Sequence, residues 1–208
     1  LSPLVSSDLK QGKVETHSVN WQDAIRTHAF WLISAAHGIA LLSVSTVLVH
    51  LIPHLTHKLG MELTEAGWVF STVSTFQILG LVCGGYLGDR FSKRMICFYC
   101  MIFHGTGMLV LAFFDAYPML VLFAVLHGLA WGIRGPQMVA IRADYFGAKS
   151  FGMIMGISSL VVMLGMMGGP MICGLIVDHY GIYRNAFISI GFISLMGAFL
   201  FYMARKPV

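Results

Sequence analysis

The sequence predicts an all-α membrane protein whose six transmembrane helices form two inverted three-helix repeats. Three observations predict it. The first is composition: of 208 residues, 57% are hydrophobic and only 11% charged, against about 25% charged in soluble domains. Mean hydropathy is +0.79. The second is that nearly all charges sit at the borders of long uncharged runs. The third is a pair of short motifs that recur at almost one offset. Together these exclude a disordered chain, a collagen, a secreted disulfide scaffold and an ordinary soluble enzyme, whose core could not bury so much apolar surface. The net charge of +4 comes without a long basic run, so there is no nucleic-acid signature.

Residues 1–27 are polar and lack the apolar core of a signal peptide. They read as a cytoplasmic linker ahead of a bundle over 28–208, and the chain is expected to be a piece of something longer. No Asp, Glu, Lys or Arg occurs between Arg26 and Lys58, Glu65 and Asp89, Arg94 and Asp115, Lys149 and Asp178, or Arg184 and Arg205. The run from Asp115 to Arg142 is interrupted only by Arg134. Each run supplies the roughly 20 residues of a membrane helix, which predicts spans near 29–52, 66–87, 95–114, 118–140, 152–177 and 185–204. They are too long for strands and lack a period-2 alternation, which argues against a β-barrel. Glycine (23 residues) and methionine (14) suit closely packed membrane helices.

The basic residues set the orientation. With the N-terminus inside, the inner segments hold Lys10, Lys13, Arg26, Arg90, Lys93, Arg94, Arg142, Lys149, Arg205 and Lys206, whereas the outer loops hold Lys58 and Arg184. That bias places both termini in the cytoplasm. Trp68, Tyr117, Tyr180 and Tyr183 fall near the outer ends, where amphipathic rings favour the interface.

The fourth span repeats the first, His127-Gly128-Leu129-Ala130 echoing His37-Gly38-Ile39-Ala40. The end of the fifth span, Gly174 to Tyr180, lies over Gly85 to Phe91 of the second. A unit of three helices, duplicated, must insert in opposite orientations, which is the inverted-repeat plan of secondary transporters.

The tract Gly85-Tyr86-Leu87-Gly88-Asp89-Arg90-Phe91-Ser92-Lys93-Arg94 resembles motif A of the major facilitator superfamily, with Ser92 where the second glycine is usual. It falls in the loop between the second and third spans, as the resemblance requires. The glycines Gly80, Gly84 and Gly88 recur every four residues and give a smooth face for helix approach. Asp89 is expected to accept hydrogen bonds at a neighbouring helix N-terminus, and Arg90, Lys93 and Arg94 to anchor the loop at an anionic leaflet. Gly85, Asp89, Arg90, Lys93 and Arg94 are thus the candidate gating motif.

In the fifth span, Gly156, Gly165, Gly169-Pro170 and Cys173-Gly174 look like motif C of the same superfamily, with Cys173 in place of a glycine. Gly165, Gly169 and Pro170 are the candidate helix-bend motif, since Pro170 donates no backbone hydrogen bond. The resemblance implies half of a twelve-helix major facilitator fold. Asn20 to Trp31, Trp131 to Pro136 and Arg142 to Gly147 look like the C-terminal half of bacterial members related to monocarboxylate and oxalate–formate transporters, which would make residues 1–27 the central loop.

Arg134 is the one charge read as lying well inside a span, where a charge costs at least about 2.5–3.5 kcal/mol and should face a cavity or a partner. It is the candidate holder of an anionic substrate, or else a snorkelling arginine. His127, Trp131, Arg134 and Met138 share a helix face by their spacing. His37 and His127 occupy equivalent repeat positions and could carry a coupling proton or simply bond between helices. Gln77 could contact substrate or a neighbouring helix. Two departures from the resemblance stand out: span 66–87 lacks the arginine of monocarboxylate transporters, and span 152–177 lacks the lysine of oxalate–formate relatives.

Other classes fit less well. Gly156-Ile157-Ser158-Ser159 lacks the final glycine of an intramembrane serine protease, and no His-Glu-x-x-His zinc motif is present. Cys97 and Cys100 read as small packing residues, and haem ligation by His37, His104 and His127 would need facing pairs. A self-sufficient homodimeric six-helix transporter is the remaining alternative. No metal or cofactor is called for. The expected partners are a small solute, read as an organic anion, the lipid bilayer and the other, N-terminal six-helix half, and the expected location is a bacterial inner membrane.

Overall fold

In the computed structural model each uncharged run folds into one long helix, and the helices continue past the charges that bound them. The structure describes residues 19–207, so Lys10, Lys13 and most of the linker lie outside the described residues. A short helix α1 (Trp21–Ala24) precedes α2 (His28–Pro53), α3 (Leu63–Arg90), α4 (Lys93–Phe113), α5 (Tyr117–Phe146), α6 (Phe151–Tyr180) and α7 (Tyr183–Met203). The last six are long and apolar enough to cross a membrane. No strand occurs among the described residues.

Local chemistry explains the ends. Thr27 caps α2 by accepting a hydrogen bond from the Phe30 N–H at 3.2 Å. Gly181 ends α6 with a φ of 74°, a left-handed cap that glycine adopts without strain. The 30 residues of α5 span roughly 45 Å at 1.5 Å per residue, more than the hydrocarbon thickness of about 30 Å. Helices therefore run on into the headgroup layer, where charges are tolerated, and borders drawn at the first charge are too short. Span 118–140 becomes Tyr117–Phe146 and span 152–177 becomes Phe151–Tyr180.

The packing is that of an inverted repeat. Helix α3 lies along α5, and its counterpart α6 lies along α2. Helix α4 packs on α5, and its counterpart α7 packs on α2, while α4 and α7 pack on each other. Exchanging the first three long helices for the last three maps this pattern onto itself. The two crossings use glycine in the same way. A Cβ on Gly128 or Gly132 would run into the backbone of Val73 or Gln77 on α3, and one on Gly165 or Gly169 would run into that of Gly38 or Leu42 on α2.

Two apolar clusters fill the bundle. Ile33, Met101, Met138, Ile141 and Phe201 sit toward the α3–α4 turn, called here the motif end. Val47, Leu51, Val73, Met108, Phe123 and Phe187 sit toward the far end. Between them lies a layer of buried polar side chains. Helices α3 and α6 are the least covered of the six and turn apolar stripes outward: Ile78, Val82 and Tyr86 on α3, and Leu160, Leu164, Met167 and Met171 on α6.

Candidate functional site

Arg134 lies in the polar layer. The 12 residues from it to Phe146 place it roughly 18 Å from the motif-end terminus of α5, and it is 1% exposed. Cys97, Cys100, His104 and His127 lie within its electrostatic reach. Its Nε is sealed from solvent with no hydrogen-bond partner. The sole ion pair among the described residues is Lys93–Asp144, so no carboxylate balances it. This guanidinium is held inside the six-helix bundle rather than snorkelling to a surface.

A second arginine corrects the expectation that Arg134 is the single intramembrane charge. Arg142, read as an inner border residue, lies on the same helix and is also 1% exposed. Because α5 continues to Phe146, its side chain turns inward instead of reaching the headgroups. It donates to the Met138 carbonyl at 2.7 Å and to Ser158 Oγ, and it stands 3.4 Å from His37 Nδ1. Ser158 in turn bonds Ser34 at 2.8 Å. Helices α2, α5 and α6 are thus tied by one buried polar network, with no acid in it.

His127 pairs with a residue outside the predicted path. Its Nδ1 is 3.2 Å from Nδ1 of His104 on α4, and both rings are fully buried. One nitrogen donates and the other accepts, so a single proton sits between them, and both Nε2 atoms are without partners. Ring centroids 4.5 Å apart leave no space for a porphyrin between the two. His104 could have been found from the spacing of Cys97, Met101, His104, Met108 and Leu111, which mark the buried face of α4. His37 is half-buried on α2 and belongs to the Arg142 network, not to the histidine pair. Trp131 packs against the far-end apolar cluster. Gln77 is half-buried at the α3–α5 crossing, its carbonyl facing Gly132.

At the motif end, Asp89 is exposed and its carboxylate is in no ion pair among the described residues. The expected cap on a neighbouring helix is therefore absent inside this bundle, because Asp89 points out of it. Arg90 lies over the Tyr86 ring at 4.4 Å. Lys93 pairs with Asp144 at 2.9 Å, and Arg94 donates to the Tyr202 carbonyl at 2.9 Å. All three cations expected at the leaflet thus have a contact within the protein. Gly85 is open on its Cβ side, whereas Gly84 and Gly88 pack against α5, where the Gln137 amide donates to the Gly84 carbonyl at 2.6 Å. Helix α6 continues through Pro170, whose carbonyl lies 3.0 Å from His50 Nε2. Gly165 and Gly169 serve the close approach to α2.

Comparison with known proteins adds three findings. A family model described as Major Facilitator Superfamily matches residues 33–208. The chain is similar to monocarboxylate transporter 12 of Rattus norvegicus, with 25% identity over 165 residues, 77% of this chain and 34% of that protein. It is also similar to the tetracenomycin C resistance and export protein of Streptomyces glaucescens, with 25% identity over 160 residues, 76% of this chain and 30% of that protein. The chain therefore spans about a third of the length of the curated relatives it matches. A crystal structure of peptide transporter POT in complex with alafosfalin superposes with a TM-score of 0.78 at 19% identity, covering 91% of this chain and 42% of that one. At that identity the likeness shows the fold alone.

Proposed function

This chain belongs to the major facilitator superfamily and is an integral membrane protein, and from that premise we propose that it works as the C-terminal half of a transporter for a small organic anion. Two arginines buried on α5 with no facing carboxylate carry this reading. A buried cation without a partner costs several kcal/mol, and a substrate carboxylate entering beside Arg134 offsets that cost. The polar layer supplies the rest of the path: His37 beside Arg142, and His127, Trp131 and Gln77 around the same level of the bundle. The histidine pair, which holds one proton between two rings, is the candidate for proton coupling.

The outward apolar stripes of α3 and α6 suit a second six-helix bundle, with alternating access produced by the rocking of the two bundles. Gly85, Asp89, Arg90, Lys93 and Arg94 then form one gate, where Asp89, facing outward, accepts hydrogen bonds from a helix end of the second bundle. The hinge falls at Gly165, Gly169 and Pro170. With the basic motif end in the cytoplasm, both termini lie inside, in a bacterial inner membrane.

The test is uptake of labelled acetate, pyruvate and oxalate by cells expressing the chain with its companion bundle. Arg134→Ala is expected to lower uptake at least about tenfold, the effect of losing one charge-assisted contact, while Arg134→Lys retains part of it. Uptake of all three anions at the wild-type rate would remove Arg134 from the site. In liposomes the chain alone is expected to be inactive, and transport by it alone would favour a homodimer.

A further inference from the structure

We infer that the far end of the bundle carries a second binding site, for a compact soluble oxyanion such as a small carboxylate or inorganic phosphate. A cavity of about 300 Å³ opens there, lined by His54, Lys58, Asp115, Tyr183 and Arg184 among others. It is separate from Arg134, which stands 17 residues beyond Tyr117 on α5, roughly 25 Å from that end.

The backbone builds this site by departing from the α-helix. At Pro53 helix α2 gives way to a π turn over His54–Lys58, closed by the Leu59 N–H donating to the His54 carbonyl at 3.2 Å. Single π turns of this kind are frequent at functional sites. The turn brings His54 and Lys58 to one cavity. His54 is only 7% exposed, yet both its ring nitrogens lack a hydrogen-bond partner. The rings of Tyr183 and Phe187 pack against it edge-to-face, with centroids 5.2 and 5.0 Å away. Buried side-chain nitrogens are nearly always satisfied, so an imidazole with neither satisfied, lining a cavity, points to a group that enters it.

Charge selects the sign of that group. Lys58 donates to the Gly181 carbonyl at 2.8 Å and keeps its remaining N–H donors free. Arg184 stacks on the Phe113 ring at 4.9 Å, a contact through its face that leaves its edge N–H groups available. Asp115 is exposed and within ion-pair distance of neither cation. Two cations against one carboxylate, with His54 buried beneath them, favour a compact anion in this cavity.

The experiment is equilibrium dialysis of the full chain, purified in dodecylmaltoside, with labelled acetate and labelled inorganic phosphate. Saturable binding of at least one probe is expected, with a component that persists in Arg134→Ala and so does not belong to the site around Arg134. His54→Phe, which keeps the aromatic contacts, and Arg184→Gln, at an exposed position, should each weaken it about tenfold. Lys149→Gln, which removes the same charge at the opposite end, should leave it unchanged. Should His54→Phe fail to fold by circular dichroism, Arg184→Gln decides alone. No saturable binding, binding insensitive to Arg184→Gln, or an equal loss in Lys149→Gln would overturn the site. So would loss of probe binding in phosphatidylglycerol nanodiscs, which would assign the cavity to a lipid headgroup.

Discussion

Replacing Gly132 with alanine adds one carbon at the α3–α5 crossing, and the structure says what that carbon meets. It would collide with the Gln77 carbonyl oxygen, and it would lie 2.7 Å from the Leu81 nitrogen and 2.9 Å from the Gln77 carbonyl carbon. All three are backbone atoms, so no side chain can rotate away. Ordinary contact begins at 3.4 Å, so relieving the Leu81 contact alone parts the helices by about 0.7 Å (3.4 − 2.7), and the closer Gln77 oxygen demands more. A gap of that size forfeits a quarter to a half of each contact worth about 0.1–0.2 kcal/mol, and a crossing with roughly 40 such pairs loses about 2 kcal/mol. In a membrane this packing is much of what holds helices together. The control is Gly135→Ala, three residues along the same helix, where the nearest atom is Leu81 Cδ1 at 4.0 Å. Titrating both variants from dodecylmaltoside into dodecyl sulfate, followed by far-ultraviolet circular dichroism, should show Gly132→Ala unfolding markedly earlier and Gly135→Ala tracking the wild type. Coincident curves for the two alanine variants would refute the reasoning.

Two further outcomes are expected. His104→Leu strands the buried Nδ1 of His127 and should cost about 1–3 kcal/mol, as should His127→Leu for the reciprocal reason. The double variant should then be less destabilised than the sum by more than about 0.5 kcal/mol in the same titration, and additive losses would show that the rings do not bond. Asp89→Asn should reduce uptake several-fold while leaving the chain in the membrane fraction, because the side chain is exposed and in no ion pair within its own bundle, and unchanged uptake would take Asp89 out of the gate.

The number of helices and their inverted pairing were legible because the signals are long-range and redundant. Six uncharged runs and two displaced copies of short motifs survive errors in any one residue. What the sequence hid depends on which way a single side chain turns. Arg142 was read as a border because it is a charge near a helix end, yet α5 runs a further turn and carries the arginine inward to Ser158 and His37. His104 was visible only through the periodicity of its own helix, since its partner is 23 residues away on another one. His54 gave no signal at all: it falls just past the span read as 29–52, and only the π turn after Pro53 gathers it with Lys58. The burial of Arg134 was legible, because a lone charge in an uncharged run has few places to go.

The glycine crossings described above have a mechanical consequence. Helices that interlock through large side chains resist both separation and sliding, because each knob sits in a hole. Where α3 meets α5, and α6 meets α2, backbone rests directly on glycine, and register is held by a few polar contacts, Gln137 on Gly84 in the first and Ser158 on Ser34 in the second. Such a joint is stiff against being pulled apart but soft along its length. Each repeat therefore supplies one helix whose place along its neighbour is set by a few polar contacts rather than by interlocked side chains.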